Sequence, residues 1–294
     1  MRMQLSILIP TYNDVCIGMV RTLASQASQI KGLSYEIIVA DDASTELDAI
    51  NKNHPISQME NCRLIRLDEN IGRAAIRNFL AETARYEWLL FLDSGMGISK
   101  ENFLQCYLEA EGNPIYGGYI VEVNEELLKG NLRYLYERHS KVSASATLRQ
   151  KKPYNDFHTS NFLVSKRLFS RFPLDERFLH YGYEDVIWGK LLKENNVIIN
   201  HIDNPIVFNT FEDNEQFVRK TEEGIQTLLA FRKELKDYSR LLFLADLLIR
   251  LHLDKPFLVI YRKNRQRWRD NLCGDKPSLS VFKLYKLGEI LNGR

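Results

Sequence analysis

Tyr35-Glu-Ile-Ile-Val-Ala-Asp-Asp42 is an apolar run that stops on two carboxylates, and its neighbours in the chain repeat the arrangement. Before it, residues 5–10 form a strand-like run that ends in Thr11, Tyr12 and Asn13, and residues 15–28 have helical spacing. After it come a short helix over 47–53 closed by His54-Pro55, a strand over 63–67, a helix opened by Gly72 and running to about residue 84, and a strand over 88–92 that ends in Asp93 and Ser94. This β-α-β-α rhythm predicts a largely parallel, doubly wound sheet of the Rossmann-like α/β class. Ligands of such sheets bind beyond the carboxyl ends of the strands. Polar residues gather at four of those ends, with Ser44 after the second strand and Asn70 and Gly72 after the third. Four such clusters at one edge outline a site.

The chain is less regular further on. Residues 115–123 read as a strand, 131–152 as a helix followed by a basic loop, 159–164 as a strand with a short helix from Lys166, 184–195 as a helix and 197–202 as a strand. From Asn214 the pattern is amphipathic and charged, so residues 1–213 are expected to form the ligand-binding domain and 214–294 a helical C-terminal extension. No internal repeat or low-complexity stretch interrupts either part.

The 294 residues are 45% apolar and 11% aromatic, enough for a sizeable core. Lys plus Arg is 40 against 38 Asp plus Glu, a balance that argues against a dedicated nucleic-acid binder. Cys16, Cys62, Cys106 and Cys273 are widely spaced and read as reduced thiols. The N-terminus runs directly into the first strand without a signal-like segment, and no apolar run approaches the ~18–20 residues of a membrane span. The expected location is the cytoplasm, either free or peripheral on the cytoplasmic face of the inner membrane.

The residue types at the strand ends suit a nucleotide. Tyr12 offers a face for a base, and Asp42 can accept an imide N–H, with Pro10 and Thr11 shaping the backbone; an ordinary loop with an Asp helix cap gives the same residues. Gly72 at a loop-to-helix junction permits close backbone approach, and a helix N-terminus favours phosphate. Arg73 and Arg77, four apart, share a helix face toward a diphosphate or toward solvent. Asp93, at the end of a buried strand, needs a partner such as a divalent cation, a ribose hydroxyl or a backbone N–H. In Tyr181-Gly-Tyr-Glu-Asp185 the two carboxylates either begin a helix or supply a general base.

Taken in order, Ser6-Ile-Leu-Ile-Pro-Thr-Tyr-Asn13, Glu36-Ile-Ile-Val-Ala-Asp-Asp-Ala-Ser44, Asn70-Ile-Gly-Arg-Ala-Ala-Ile-Arg-Asn78, Phe91-Leu-Asp-Ser-Gly95 and Tyr181-Gly-Tyr-Glu-Asp185 resemble the family 2 glycosyltransferases over roughly residues 3–212. The resemblance implies a nucleotide-diphospho-sugar transferase domain of the A-type fold with a mostly parallel mixed sheet. It implies an inverting displacement that moves a sugar from a nucleotide-sugar, UDP being the favoured nucleotide, to an acceptor hydroxyl. Pro10, Thr11, Tyr12 and Asp42 would hold the base, and Asn70, Gly72 and Arg73 would lie near the ribose and diphosphate, with Asp93 and Ser94 also in the donor site. Asp185 matches the family's catalytic base, with Glu184 beside it, and residues 157–162 would flank donor sugar and acceptor. By analogy the acceptor is a glycan or glycolipid of surface-polysaccharide synthesis.

The sequence departs from the family at Asp93-Ser-Gly95, where the family carries Asp-x-Asp and binds Mg²⁺ or Mn²⁺ through the last Asp. Gly95 has no ligand atom, and the family's later metal-binding His falls here at Phe208 or Asn209, with His201 nearby but earlier. Three routes follow: weak metal binding through Asp93 and the diphosphate, replacement of the metal by Arg73, Arg77 or a helix N-terminus, or a catalytically silent sugar-nucleotide-binding protein. A sugar nucleotidyltransferase ranks low, because Pro-Thr-Tyr-Asn stands where a glycine-rich basic loop would be needed. In the extension, the Leu/Ile-rich 239–253 and the basic 261–269 suit an anionic membrane surface, a structural cap or a homodimer contact.

Overall fold

The computed structural model describes residues 2–123, 129–139, 145–178 and 181–294. They form two compact units: Met1–Glu122, Val142–Leu179 and Glu184–Thr210 make the first, and Val123–Lys141, His180–Tyr183 and Phe211–Arg294 the second. The longest segment of the second unit begins at Phe211. The second unit also takes two earlier segments, which local periodicity does not reveal.

In chain order the first unit contains β1 (Gln4–Thr11), α1 (Ile17–Gln29), β2 (Ser34–Asp41), α2 (Leu47–Asn53), a short helical turn (His54–Gln58), β3 (Cys62–Arg66), α3 (Arg73–Thr83), β4 (Trp88–Leu92), α4 (Phe103–Glu109), β5 (Ile115–Tyr116) and β6 (Tyr119–Val121). After α5 (Leu132–His139), which belongs to the second unit, it continues with α6 (Ala146–Arg149), β7 (Asn161–Ser165), α7 (Lys166–Arg171), α8 (Glu184–Glu194), β8 (Asn200–His201) and β9 (Ile206–Phe208). Seven strands form one sheet in the order β3-β2-β1-β4-β7-β5-β8. β1 is parallel to β2 and β4, β2 to β3, and β5 to β8, while β7 is antiparallel to both of its neighbours. β6 and β9 pair in parallel as a separate ribbon. The sheet is thus mixed and mostly parallel, as expected.

Both faces of the sheet are covered, which is why its strands read as continuous apolar runs. Leu5, Ile7, Ile9, Leu90 and Leu92 pack with α1 and α4. Leu8, Ile38, Ala40, Leu89 and Phe91 pack with α3 and with Trp188 of α8. Phe91 stacks on Phe162 of β7 at 4.8 Å between ring centres. This alternation positions the site. Asp93 follows in the Leu89–Phe91 row and meets α3 through Arg77, whereas Ser94 follows in the other row and meets Asp14.

Some expected elements are shorter. The run 115–123 divides into β5 and β6, because Gly118 takes φ +85, and a Cβ there would lie 2.9 Å from the Arg149 guanidinium carbon. The run 197–202 keeps only β8 as strand. Residues 140–144 of the expected basic loop lie outside the described residues. Helix α4 is additional to the predicted elements.

The second unit is helical apart from short connections among its described residues: α5, α9 (Asn214–Ala230), α10 (Arg232–Leu235), α11 (Arg240–Arg250), α12 (Asp254–Cys273) and α13 (Leu279–Asn292). Leu132, Phe217, Val218, Tyr261, Leu272, Phe282 and Tyr285 form its core. Two carboxylates tie its helices. Glu289 accepts from Arg265 at 2.7 Å and from the Tyr261 hydroxyl, and Glu222 accepts from Arg269 at 3.2 Å and from the Tyr285 hydroxyl.

Candidate functional site

The site lies at the carboxyl ends of β1, β2 and β4, together with the N-terminal turns of α3 and α8. At the β1 end, Pro10 and Thr11 are buried, and the Thr11 hydroxyl donates to the Asp14 carbonyl at 3.2 Å. Tyr12 follows and is 48% exposed, so its ring is open to stack on a ligand. Asn13 accepts from the amides of Thr45 and Glu46 at 2.8 and 3.0 Å, joining the two strand-end loops.

At the β2 end, Asp42 is buried, and its carboxylate accepts from the backbone N–H of Ile71 at 2.8 Å and of Gly72 at 3.1 Å. Asn70 closes the same turn by donating to the Asp42 carbonyl at 3.0 Å. Burial pushes the Asp42 carboxyl up from its ordinary value, against the two amides that favour its charged form. Gly72 holds φ +88, a conformation glycine adopts without steric cost. The close backbone approach foreseen at Gly72 is therefore made to Asp42, and the two amides ahead of α3 are already engaged.

Beside this loop is an ion-pair cluster. Arg77 is buried, donates to the Arg73 carbonyl at 2.8 Å and is paired with Asp93 Oδ1. Arg73 reaches Asp93 Oδ2 at 3.6 Å and Glu184 Oε1 at 2.8 Å, while its own side chain stays 40% exposed. The reading of Arg77 as a solvated basic face is corrected: the residue is interior, and burial lowers its pKa against the opposing influence of Asp93. Glu184 is buried and holds Arg73.

At the start of α8, Asp185 Oδ1 accepts from the backbone N–H of Val186 at 2.8 Å, and Oδ2 lies 2.8 Å from His158 Nδ1. Burial opposes the charged carboxylate, but the His158 hydrogen bond and charge, the Val186 amide and Arg73 outweigh it, so Asp185 sits below the ordinary carboxylate range. His158 lies in the segment expected to flank donor and acceptor. Its pairing with Asp185 has no signal in local sequence, because the two are 27 positions apart.

The residues at Asp93 do not fit a divalent cation. Both oxygens of Asp93 face guanidinium groups, and among the described residues no three His, Cys, Asp or Glu side chains gather as a metal site. A Cβ on Gly95 would point at Asp14, 3.3 Å from its Oδ2, rather than toward the arginines. Ser94 likewise donates to Asp14 Oδ2 at 3.0 Å. Asp93, the expected weak metal ligand, is ion-paired with Arg73 and Arg77 in this structure. His201 is structural: its ring meets Arg149 Nε at 3.2 Å and the Pro153 carbonyl at 3.0 Å, and burial lowers its pKa.

On the Gly95 side of the β4 loop opens a cavity of about 390 Å³ lined in part by Asn13, Asp14, Glu46, Asp48, Ser94 and Gly95. Three of its lining residues, Asp14, Glu46 and Asp48, are carboxylates. Arg73, Arg77, His158 and Asp185 do not line it.

Comparison with known proteins agrees with this architecture. An uncharacterized glycosyltransferase of Haemophilus influenzae is 31% identical over 112 residues, covering 37% of this chain and 35% of that protein. A chondroitin synthase of Pasteurella multocida is 25% identical over 268 residues, covering 80% of this chain and 27% of the synthase. This chain therefore spans about a third or less of the length of these relatives. Among solved structures, residues 1–349 of S. aureus TarS in complex with UDP-GlcNAc superpose with a TM-score of 0.53 at 16% identity, over 99% of this chain and 91% of that fragment. The mannosyltransferase PcManGT from Pyrobaculum calidifontis, in complex with GDP-Man and Mn²⁺, does so at 0.55 and 14% identity, over 80% and 67%. These two likenesses speak to the fold. The family model for glycosyl transferase family 2 matches residues 6–176, most of the first unit, and on that match the chain belongs to this family.

Proposed function

We propose that the protein is an inverting glycosyltransferase that moves a sugar from a nucleoside diphosphate sugar to a glycan hydroxyl, with Asp185 as general base. The observation that carries this reading is the Asp185 carboxylate, fixed by His158 and the Val186 amide and kept ionised. A sugar hydroxyl is a weak nucleophile until it loses its proton, and a positioned carboxylate takes that proton as the oxygen attacks. The new bond joins the acceptor oxygen to the anomeric carbon. The bond that breaks is between that carbon and the diphosphate oxygen, which leaves with the electron pair.

Arg73 supports the leaving group in this reading. Glu184 and Asp93 orient its guanidinium, and its side chain remains partly open to solvent. A fixed cation is suited to charge that develops in the transition state. For the base, Tyr12 supplies a stacking face and Asp42 retains lone pairs beyond the two amides it already accepts, which suits the imide N–H of uracil. TarS bound to UDP-GlcNAc supports a UDP-sugar, and relatives named chondroitin synthase and poly(ribitol-phosphate) beta-glucosyltransferase support a polysaccharide acceptor.

Incubation with a panel of UDP- and GDP-sugars, with and without glycan acceptors, tests the reading through nucleotide release. Turnover in the native protein and its loss in Asp185→Asn are expected. Donor binding by calorimetry without release, and unchanged by Asp185→Asn, would identify a silent binding protein instead.

A further inference from the structure

Helix α11 buries Leu242 and Ala245, and the Ser239 hydroxyl caps its start by accepting from the Leu242 amide at 3.3 Å. The opposite side of the helix is also apolar. Phe243, Leu247 and, just past the helix end, Leu251 recur every four residues, with Leu244 beside them. Phe243 is 64% exposed, Leu251 56%, Leu244 47% and Leu247 39%. A surface helix ordinarily turns polar residues to that side, so this row is an unpartnered apolar face. Leu253, in the following turn, is 49% exposed.

The exposed charge around the row is mainly basic, with Asp237 before it and Asp254 after it as the acidic exceptions. Arg240, Arg250 and Lys255 are exposed along α11 and at the start of α12. Asp246, the acidic residue of α11, is ion-paired with Arg232. Further along α12, Arg265 and Arg269 are tied to Glu289 and Glu222 inside the second unit. The basic stretch 261–269 is therefore partly structural, and the apolar row lies on α11.

We propose that the Phe243–Leu244–Leu247–Leu251 face of α11 docks on an anionic phospholipid bilayer, with Arg240, Arg250 and Lys255 at the lipid phosphates. An apolar row bordered by cations matches the boundary between headgroups and acyl chains. A second copy meeting the same face would set like charges against each other. Among the described residues no helix is long and apolar enough to cross a membrane, so the contact is interfacial. This inference goes beyond the transferase reading and does not rest on it.

Cosedimentation of the full chain with large unilamellar vesicles tests it, comparing pure phosphatidylcholine with equal parts phosphatidylcholine and phosphatidylglycerol. Binding to the anionic vesicles that weakens with added salt is expected. The double variant Phe243→Ser/Leu247→Ser, at exposed positions, should lower the partition coefficient by roughly tenfold or more, with an unchanged circular dichroism melt. Equal partitioning of variant and native chain overturns the proposal, as does absence of binding to the anionic vesicles. Self-association in sedimentation velocity that the double variant abolishes, without vesicle binding, assigns the face to a second copy instead.

Discussion

His158 Nδ1 lies 2.8 Å from Asp185 Oδ2 and fixes the carboxylate to which base catalysis is assigned. Burial alone would raise the Asp185 carboxyl, and the histidine contact is the foremost influence holding it down. The base thus stays ionised at pH values where an isolated buried carboxyl would be protonated. In His158→Asn the carboxyl loses that support and its pKa rises. The acid limb of the kcat/KM profile should move to higher pH, while activity on the alkaline side is retained in larger part. An unmoved limb would separate His158 from the base.

Arg77 should matter more for folding than for chemistry. It is buried and paired with Asp93, which is itself only partly exposed. Arg77→Met removes the charge and leaves Asp93 with the longer contact to Arg73. A loss of roughly 2–4 kcal/mol is expected from breaking a largely buried pair, read as a lower urea midpoint at constant slope. A stability change within ~0.5 kcal/mol, the range of ordinary surface substitutions, would return Arg77 to the solvated role.

Gly95 offers a direct test of why the loop after β4 lacks a metal ligand. Gly95→Asp places a second carboxylate against Asp14, because a Cβ there lies 3.3 Å from Asp14 Oδ2. Two facing carboxylates repel unless a cation joins them. Mn²⁺ binding by calorimetry is expected in Gly95→Asp and much weaker in the native chain. Equal binding by both would remove Gly95 from the metal question.

Lys286 should make the second unit more stable at alkaline pH. Burial, with a smaller contribution from Lys283, pushes its ammonium down to about 8. The folded pKa is below that of the unfolded chain, so between pH 8 and about 10.4 the unfolded state binds the additional proton and stability rises with pH. Below pH 8 the whole penalty is present. The rings of Tyr136 and Phe282, 4.8 and 4.5 Å from Nζ, offset part of it. Lys286→Met should gain about 1–3 kcal/mol at pH 7 and little near pH 10. Parallel denaturation curves for the two proteins at both pH values would contradict the burial argument.

Much of the first unit was legible because its signals are local. Residues 47–53 and 88–92 are the observed α2 and β4, and the polar residues after Ile9, Ala40 and Leu92 do stand at strand ends. A parallel strand buried on both faces announces itself by composition, and a strand end by the polar residues that follow. Periodicity was less informative at 115–123, where Gly118 turns the chain from one sheet to another, and at 197–202, where pairing to β5 retains only two residues.

The doubly wound order, the ordered motifs and the lack of a ligand atom at Gly95 are all readable in the amino-acid order. What those groups meet depends on the packed fold. It paired Asp93 with Arg77, Glu184 with Arg73 and Asp185 with His158, and it turned Asp42 toward the Ile71 and Gly72 amides. It also sorted the C-terminal basic residues into those tied to Glu222 and Glu289 and those beside the exposed α11 row. The reason is physical: periodicity reports which residues share a face, whereas a carboxylate's partner and charge depend on burial and on groups brought close from distant parts of the chain.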